Sequence, residues 1–140
     1  MEESEAPIYH LIDLTLALAD RTQALIGEVL AELDLTHALA GAVWQLGAAS
    51  TPPSMRELAR GLRCDPSTVT FLADRLERHG LATRTVAPGN RRVKLLALTD
   101  QGHQVRRRLV AAMVAGSPLG RLSLDEQRRL RALLAKAMSD

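Results

Sequence analysis

The sequence predicts a mainly α fold with one small β-hairpin, organised around a helix-turn-helix. Three observations carry that prediction. Apolar residues recur with a helical period through most of the chain, and only 2% of residues are aromatic (Tyr9, Trp44, Phe71). One stretch alone, residues 81–99, changes to strand-like composition between turn signals. A core drawn from Leu, Val and Ala in long periodic runs is a helical core.

The first helix runs from Ile8 to about Leu33, behind a frayed segment at residues 1–7. At 1.5 Å per residue it spans roughly 39 Å, more than a small domain needs. Leu14, Leu16, Ala17 and Ala24 add apolar surface off its main stripe. A helix apolar on more than one side wants a second partner, and another copy of the chain is the expected one. Asp34-Leu35-Thr36 breaks it, and Thr36 caps a second helix, Thr36 to Ala49, which Ser50-Thr51-Pro52-Pro53 ends.

The organising stretch follows, Ser54 to Gly80. Ser54 with Glu57 three residues on is a capping box that opens the third helix. Gly61 marks its stop. Asp65-Pro66 restarts the chain, Asp65 as cap and Pro66 in the first helical position, where a missing donor costs nothing. Val69, Leu72, Ala73 and Leu76 fall at i, i+3, i+4, i+7, one buried stripe, and His79-Gly80 closes the helix.

If that stripe points in, Ser67, Thr68, Thr70, Phe71, Arg75 and Arg78 point out. Hydroxyls and backbone N–H groups at a helix N-terminus suit phosphates or base edges, and arginine suits guanine O6/N7. Taken alone, such a face is that of any solvated helix. What comes next changes the reading. Ala82 to Val86 reads as a strand, Pro88-Gly89-Asn90 as a turn, and Arg92 to Thr99 as the returning strand. Arg91 and Arg92 sit at or near its tip, with Lys94 and Arg84 along it. A basic hairpin directly behind a recognition helix is a wing.

Thr99 and Asp100 cap a fifth helix with the stripe Val105, Leu109, Ala112 and Met113. Arg106-Arg107-Arg108 is a charge run, expected as a solvated face that leaves one or two arginines near DNA backbone. Gly116-Ser117-Pro118 breaks the chain, and a second capping box, Ser123 with Glu126, opens the last helix.

Charge distribution agrees with this order. The net charge is +2, but residues 1–55 hold one Arg against eight acids, net −7. Residues 56–94 hold nine basic residues against four acids, net +5, and residues 95–140 eight against four, net +4. An acidic partner is expected to meet the middle of the chain. Sparse aromatics count against stacking on single strands, which favours the duplex. The single cysteine, Cys64, excludes an internal disulfide framework. With an acidic start that is no signal peptide and no apolar run of membrane-spanning length, a cytoplasmic location is expected.

The order of helix, helix, helix-turn-helix, wing, helix and helix resembles the multiple-antibiotic-resistance regulator (MarR) family across nearly the whole chain, with the specific matches at 55–102. MRELARGLRCDPSTVTFLADRLERHGLATR looks like the family's helix-turn-helix, with Leu76, Gly80, Leu81 and Arg84 at its landmarks. NRRVKLLALTDQG is similar to its wing-and-exit segment, with Arg92, Leu98, Thr99 and Gly102 in register. Asn90 stands where the family usually has Asp, and Phe71 where a polar or basic residue is common. The resemblance implies one domain over 1–140, with 8–35 and 100–138 as dimerisation helices around a winged helix-turn-helix over 36–99. It further implies a homodimer binding a palindromic duplex operator, usually as a repressor and often released by a small ligand. Contacts to DNA would come from Ser67, Thr68, Thr70, Phe71, Arg75, Arg78, Arg84, Arg91, Arg92 and Lys94. In this family the ligand pocket commonly lies beside the dimer helices, which makes His37 and Trp44 candidates, although Trp44 reads better as a core anchor.

No enzyme is expected, since the sequence offers no phosphate-binding Gly loop, no carboxylate pair beside a nucleophile and no metal-ligand cluster. No cofactor is implied. Two other readings remain. A winged-helix module that binds protein would keep its partner after neutral substitution at Arg75 and Arg92. A thiol- or metal-responsive variant would use Cys64, which sits near Arg60, Arg63 and a helix N-terminus, features that activate thiols, or ligands drawn from distant segments. Cys64 as a small buried turn residue is the plainer reading.

Overall fold

The computed structural model describes residues 6–139. Six α-helices, one 3₁₀ turn and one hairpin follow in the order α1 (Ala6–Leu33), α2 (His37–Ala48), α3 (Met55–Leu62), α4 (Pro66–Arg78), β1 (Ala82–Ala87), β2 (Asn90–Leu98), α5 (Asp100–Gly116), the 3₁₀ turn (Pro118–Arg121) and α6 (Leu124–Met138). Ala6 and Pro7 are already helical, so the frayed start expected over 1–7 does not hold for these two; residues 1–5 lie outside the described residues. The 3₁₀ turn has no counterpart in the periodicity. No helix is long and apolar enough to cross a membrane among the described residues.

The chain divides into two compact units whose boundaries fall inside α1 and α5. Residues 26–111 form one unit, which holds every fully buried apolar side chain among the described residues, from Val29 to Leu109. Leu39, Val43, Val69, Leu76 and Leu96 are its most deeply buried large residues. They come from α2, α4 and β2, so this core fixes the helix-turn-helix and the wing as one body. The residues up to Leu25 and from Ala112 form the other unit. There Ile8, Leu11, Ile12, Leu14, Leu16, Leu124, Leu133, Leu134 and Met138 are all exposed.

Helix starts follow the capping rules. Ser54 and Ser123 each accept from the backbone N–H three residues on, and Glu57 and Glu126 each accept from the cap's own N–H, which completes both boxes. Each cap stabilises its helix by about 1 kcal/mol. Thr36 caps α2 through Leu39 N–H. Asp65 holds the N-cap position of α4 but makes no side-chain cap bond, contrary to expectation; Pro66 alone presets that first turn.

Helix ends are less orderly. Gly61 does not stop α3, which continues to Leu62 and ends on Arg63 in the left-handed region at φ +53. A Cβ on Gly61 would meet Gln45 Oε1, the far end of an exposed side chain on α2, at 3.0 Å. Asp34, also left-handed at φ 55, ends α1, a conformation short polar residues tolerate.

The hairpin pairs Ala82 with Leu98 through Val86 with Lys94, then slips at a bulge between Val86 and Ala87 before Ala87 meets Asn90. Pro88 and Gly89 form its loop, with Gly89 at φ +78, as a Pro-Gly turn with a left-handed third residue requires. The segment before α3 joins the far edge of β2. Leu96 N–H donates to Pro53 O at 3.0 Å, and Ser54 forms an isolated bridge with Leu95. The root of the wing is thereby tied to the first residue of the helix-turn-helix, a pairing that strand periodicity does not indicate.

Candidate nucleic-acid interface

The exposed side of α4 is set by its buried side. Val69, Leu72, Ala73 and Leu76 are buried as the spacing requires. Ser67, Thr68, Thr70, Phe71 and Arg78 are exposed and Arg75 is half-buried. Two of these are already engaged. The Thr70 hydroxyl donates to Pro66 O at 3.1 Å, within its own helix. The Arg75 guanidinium lies 5.6 Å from the centre of the Phe71 ring, a cation–π contact one turn apart on the same face. Phe71 therefore does not fold back into the core.

At the wing, Arg91, Arg92 and Lys94 are exposed and form no ion pair among the described residues. Asn90 Oδ1 accepts from Arg92 N–H at 3.1 Å, so the amide orders the turn where the family more often has a carboxylate. Neutral Asn90 leaves the charge of the tip undiminished.

Arg84 departs from the expectation that grouped it with these cations. Its guanidinium pairs with Asp74 Oδ1 at 2.7 Å and with Glu77 Oε1, and it reaches Thr70 O at 3.4 Å. Both carboxylates belong to α4, so Arg84 clamps β1 to the recognition helix instead of facing outward. All three side chains remain in partial contact with water, so screening holds the stabilisation to roughly 1 kcal/mol or less. The effect of the clamp lies in geometry, because it sets the angle between wing and helix. Arg84→Ala is expected to change the urea midpoint little while weakening binding to a cognate duplex by about five- to tenfold, and the weakening should appear at every sequence alike. Equal affinity in the variant, measured by fluorescence anisotropy, would mean that the clamp does not set the wing for DNA.

The α5 arginines are also mostly engaged. Arg106 lies 5.2 Å over the Trp44 ring and crowds Gly47, and its Nε is buried without a hydrogen-bond partner. Arg108 pairs with Glu32 at 2.7 Å. The run is therefore not a uniformly solvated face. Trp44 is 42% exposed and lies beneath Arg106, so it is not the core anchor that its size predicts. His37 is exposed at the start of α2, with its ring facing Gly27 on α1. Cys64 is a free, half-buried turn residue whose N–H donates to Ala59 O at 3.1 Å.

Gly102 explains why the exit from the wing has the sequence it has. Thr99 N–H donates to Leu81 O, Thr99 Oγ1 donates to Gly80 O at 2.6 Å, and the same hydroxyl oxygen accepts from Gly102 N–H. This draws the first turn of α5 so close that a Cβ on Gly102 would lie 2.1 Å from Leu81 O. The Leu-Thr-x-x-Gly pattern thus records one packing constraint.

The same body recurs in known proteins. The model of the MarR family matches residues 43–94, which covers the second half of α2, all of α3, α4 and β1, and β2 as far as Lys94. The transcriptional repressor MdtR of Bacillus subtilis is 33% identical over 92 residues, 64% of this chain and 59% of that protein; the match thus spans about three fifths of its relative. Among solved structures, a mutant of MepR from a multidrug-resistant Staphylococcus aureus isolate aligns with a TM-score of 0.75 at 20% identity, over 99% of this chain and 97% of that one. A cysteine-to-serine mutant of Escherichia coli MarR, solved with operator DNA, aligns at 0.68 and 24% identity, over 99% and 100%. Family model, sequence relative and shared fold point the same way: the chain is similar to the MarR family in sequence over residues 43–94 and has the fold of MarR-family proteins over nearly its whole length.

Proposed function

We propose that this chain is a homodimeric, sequence-reading regulator of transcription that binds a palindromic operator in double-stranded DNA, most simply as a repressor. One observation carries the reading. Arg78 of α4 and the wing residues Arg91, Arg92 and Lys94 are exposed with no carboxylate partner among the described residues, while Arg84, between them, fixes helix to wing. Cations left unpaired on a rigid frame suit a polyanion. The operator-bound MarR mutant and the repressor MdtR supply the analogy. Each α4 would enter a major groove, and the wing tips would meet phosphates or the adjacent minor groove. Such a protein would work in the cytoplasm, with its DNA, and a small ligand docking near His37 and Trp44 would release it.

Selection of sites from a random duplex pool, followed by a salt titration, tests this. A palindrome with steeply salt-dependent affinity is expected. Arg92→Ala should weaken binding at most sequences and flatten the slope of log affinity against log salt by about 2 for the dimer, because one phosphate fewer is neutralised in each half-site. An unchanged slope would take Arg92 off the backbone. Binding to no duplex at any salt would bring a protein-interaction module to the front.

A further inference from the structure

We propose that Phe71 and Arg75 act as one reading element that selects a thymine one base pair from a guanine, so that each operator half-site carries a dT–dG step beneath α4. The proposal rests on the DNA-reading function above.

Phe71 is 55% exposed, the largest apolar group on a face otherwise made of hydroxyls and arginines. Its contact is the Arg75 guanidinium, 5.6 Å from the ring centre. The nearest carboxylates in sequence, Asp74 and Glu77, are held by Arg84, and Arg75 forms no ion pair among the described residues. Its N–H fork therefore keeps its donors for a ligand, while the ring limits the rotamers it can visit. Ordering an arginine before binding lowers the entropic cost of using it.

Chemistry assigns the two bases. A guanidinium fork matches guanine O6 and N7, and in the major groove thymine is distinguished by its C5 methyl, which an apolar side chain recognises by contact. Four residues of helix rise about 6 Å, and successive base pairs are about 3.4 Å apart. Along the duplex axis that rise is nearly two steps, but a helix lying obliquely in the groove projects only part of it onto the axis, so a ring and a guanidinium 5.6 Å apart reach neighbouring pairs. Ser67 and Thr68 one turn earlier and Arg78 one turn later extend the contact but carry no apolar group.

The test uses the full chain and the palindrome it recovers from a random duplex pool. Each half-site is expected to contain the dT–dG step. Replacing that thymine by uracil removes one methyl per half-site and nothing else, and should weaken binding of the native chain by about tenfold across the dimer. Phe71→Ala should bind both duplexes alike, and Phe71→Leu, which keeps an apolar tip, should retain part of the difference. A recovered palindrome without the step would overturn the proposal, as would a uracil effect equal in the native and Phe71→Ala chains; either result leaves the DNA-reading function standing. A pool that yields no enriched sequence would instead remove that function, and the proposal with it.

Discussion

A chain carrying both Leu11→Asp and Leu133→Asp is expected to be monomeric and to lose at least about a hundredfold in affinity for a palindromic duplex. The reason is an imbalance between the two compact units. Every buried apolar side chain among the described residues lies in residues 26–111, while the other unit exposes ten large hydrophobic residues on α1 and α6. Leu11 and Leu133 are each 64% exposed, on different helices of that unit. Apolar surface of this extent suits an interface, and under the proposed function a second copy fits it, because a palindromic operator would need two equivalent reading heads.

Both substitutions replace exposed side chains, so the unit that holds the core should keep its fold and its helical circular dichroism. What should change is mass, read by light scattering, and affinity, read by anisotropy. A monomer can engage only one half-site, and the second half-site is no longer met at the effective concentration that linkage provides. A variant that still scatters as a dimer and binds with native affinity would move the interface elsewhere. A native chain that is monomeric at micromolar concentration would do the same.

What is legible in the sequence is local. Both capping boxes, the Thr36 cap and the buried stripe of α4 depend on residues three or four apart, and spacing of that kind can be read along the chain. The hairpin is legible too, since Pro88-Gly89 is a turn signal between strand-like runs. Long-range partners are not. Charge and segment group Arg84 with the wing's outward cations, yet it turns back to Asp74 and Glu77 across the corner between α4 and β1. Size makes Trp44 a candidate for burial, but Arg106, far along the chain, covers it instead. Propensity makes Gly61 a stop, whereas the helix continues to Leu62 and a left-handed Arg63 ends it. Pattern therefore locates the candidate site, and only the structure reveals its internal clamp.

Gly102→Ala should destabilise the fold by roughly 3 kcal/mol, and local propensity predicts the opposite sign. Gly102 is in the first turn of α5, where alanine is the better helix former by about 1 kcal/mol. Against that gain stands the added Cβ, 2.1 Å from Leu81 O and 3.1 Å from Leu98 Cδ2. The leucine methyl can move, but the carbonyl cannot. It accepts from Thr99 N–H at 2.9 Å, and Leu81 itself is anchored by its N–H to Leu76 O. To admit the methyl, α5 must shift away from the root of the wing and strain the Thr99 bonds that join it to Gly80. The clash outweighs the propensity. Urea unfolding at matched chain concentration measures it, because oligomerisation shifts the midpoint by mass action. Gly120→Ala, where nothing lies within 4 Å of the new Cβ, is the control and should change stability by less than about 0.5 kcal/mol. If Gly102→Ala proved neutral or stabilising, the close approach of α5 to Leu81 would be wrong, and with it the physical reason given for the Leu-Thr-x-x-Gly pattern.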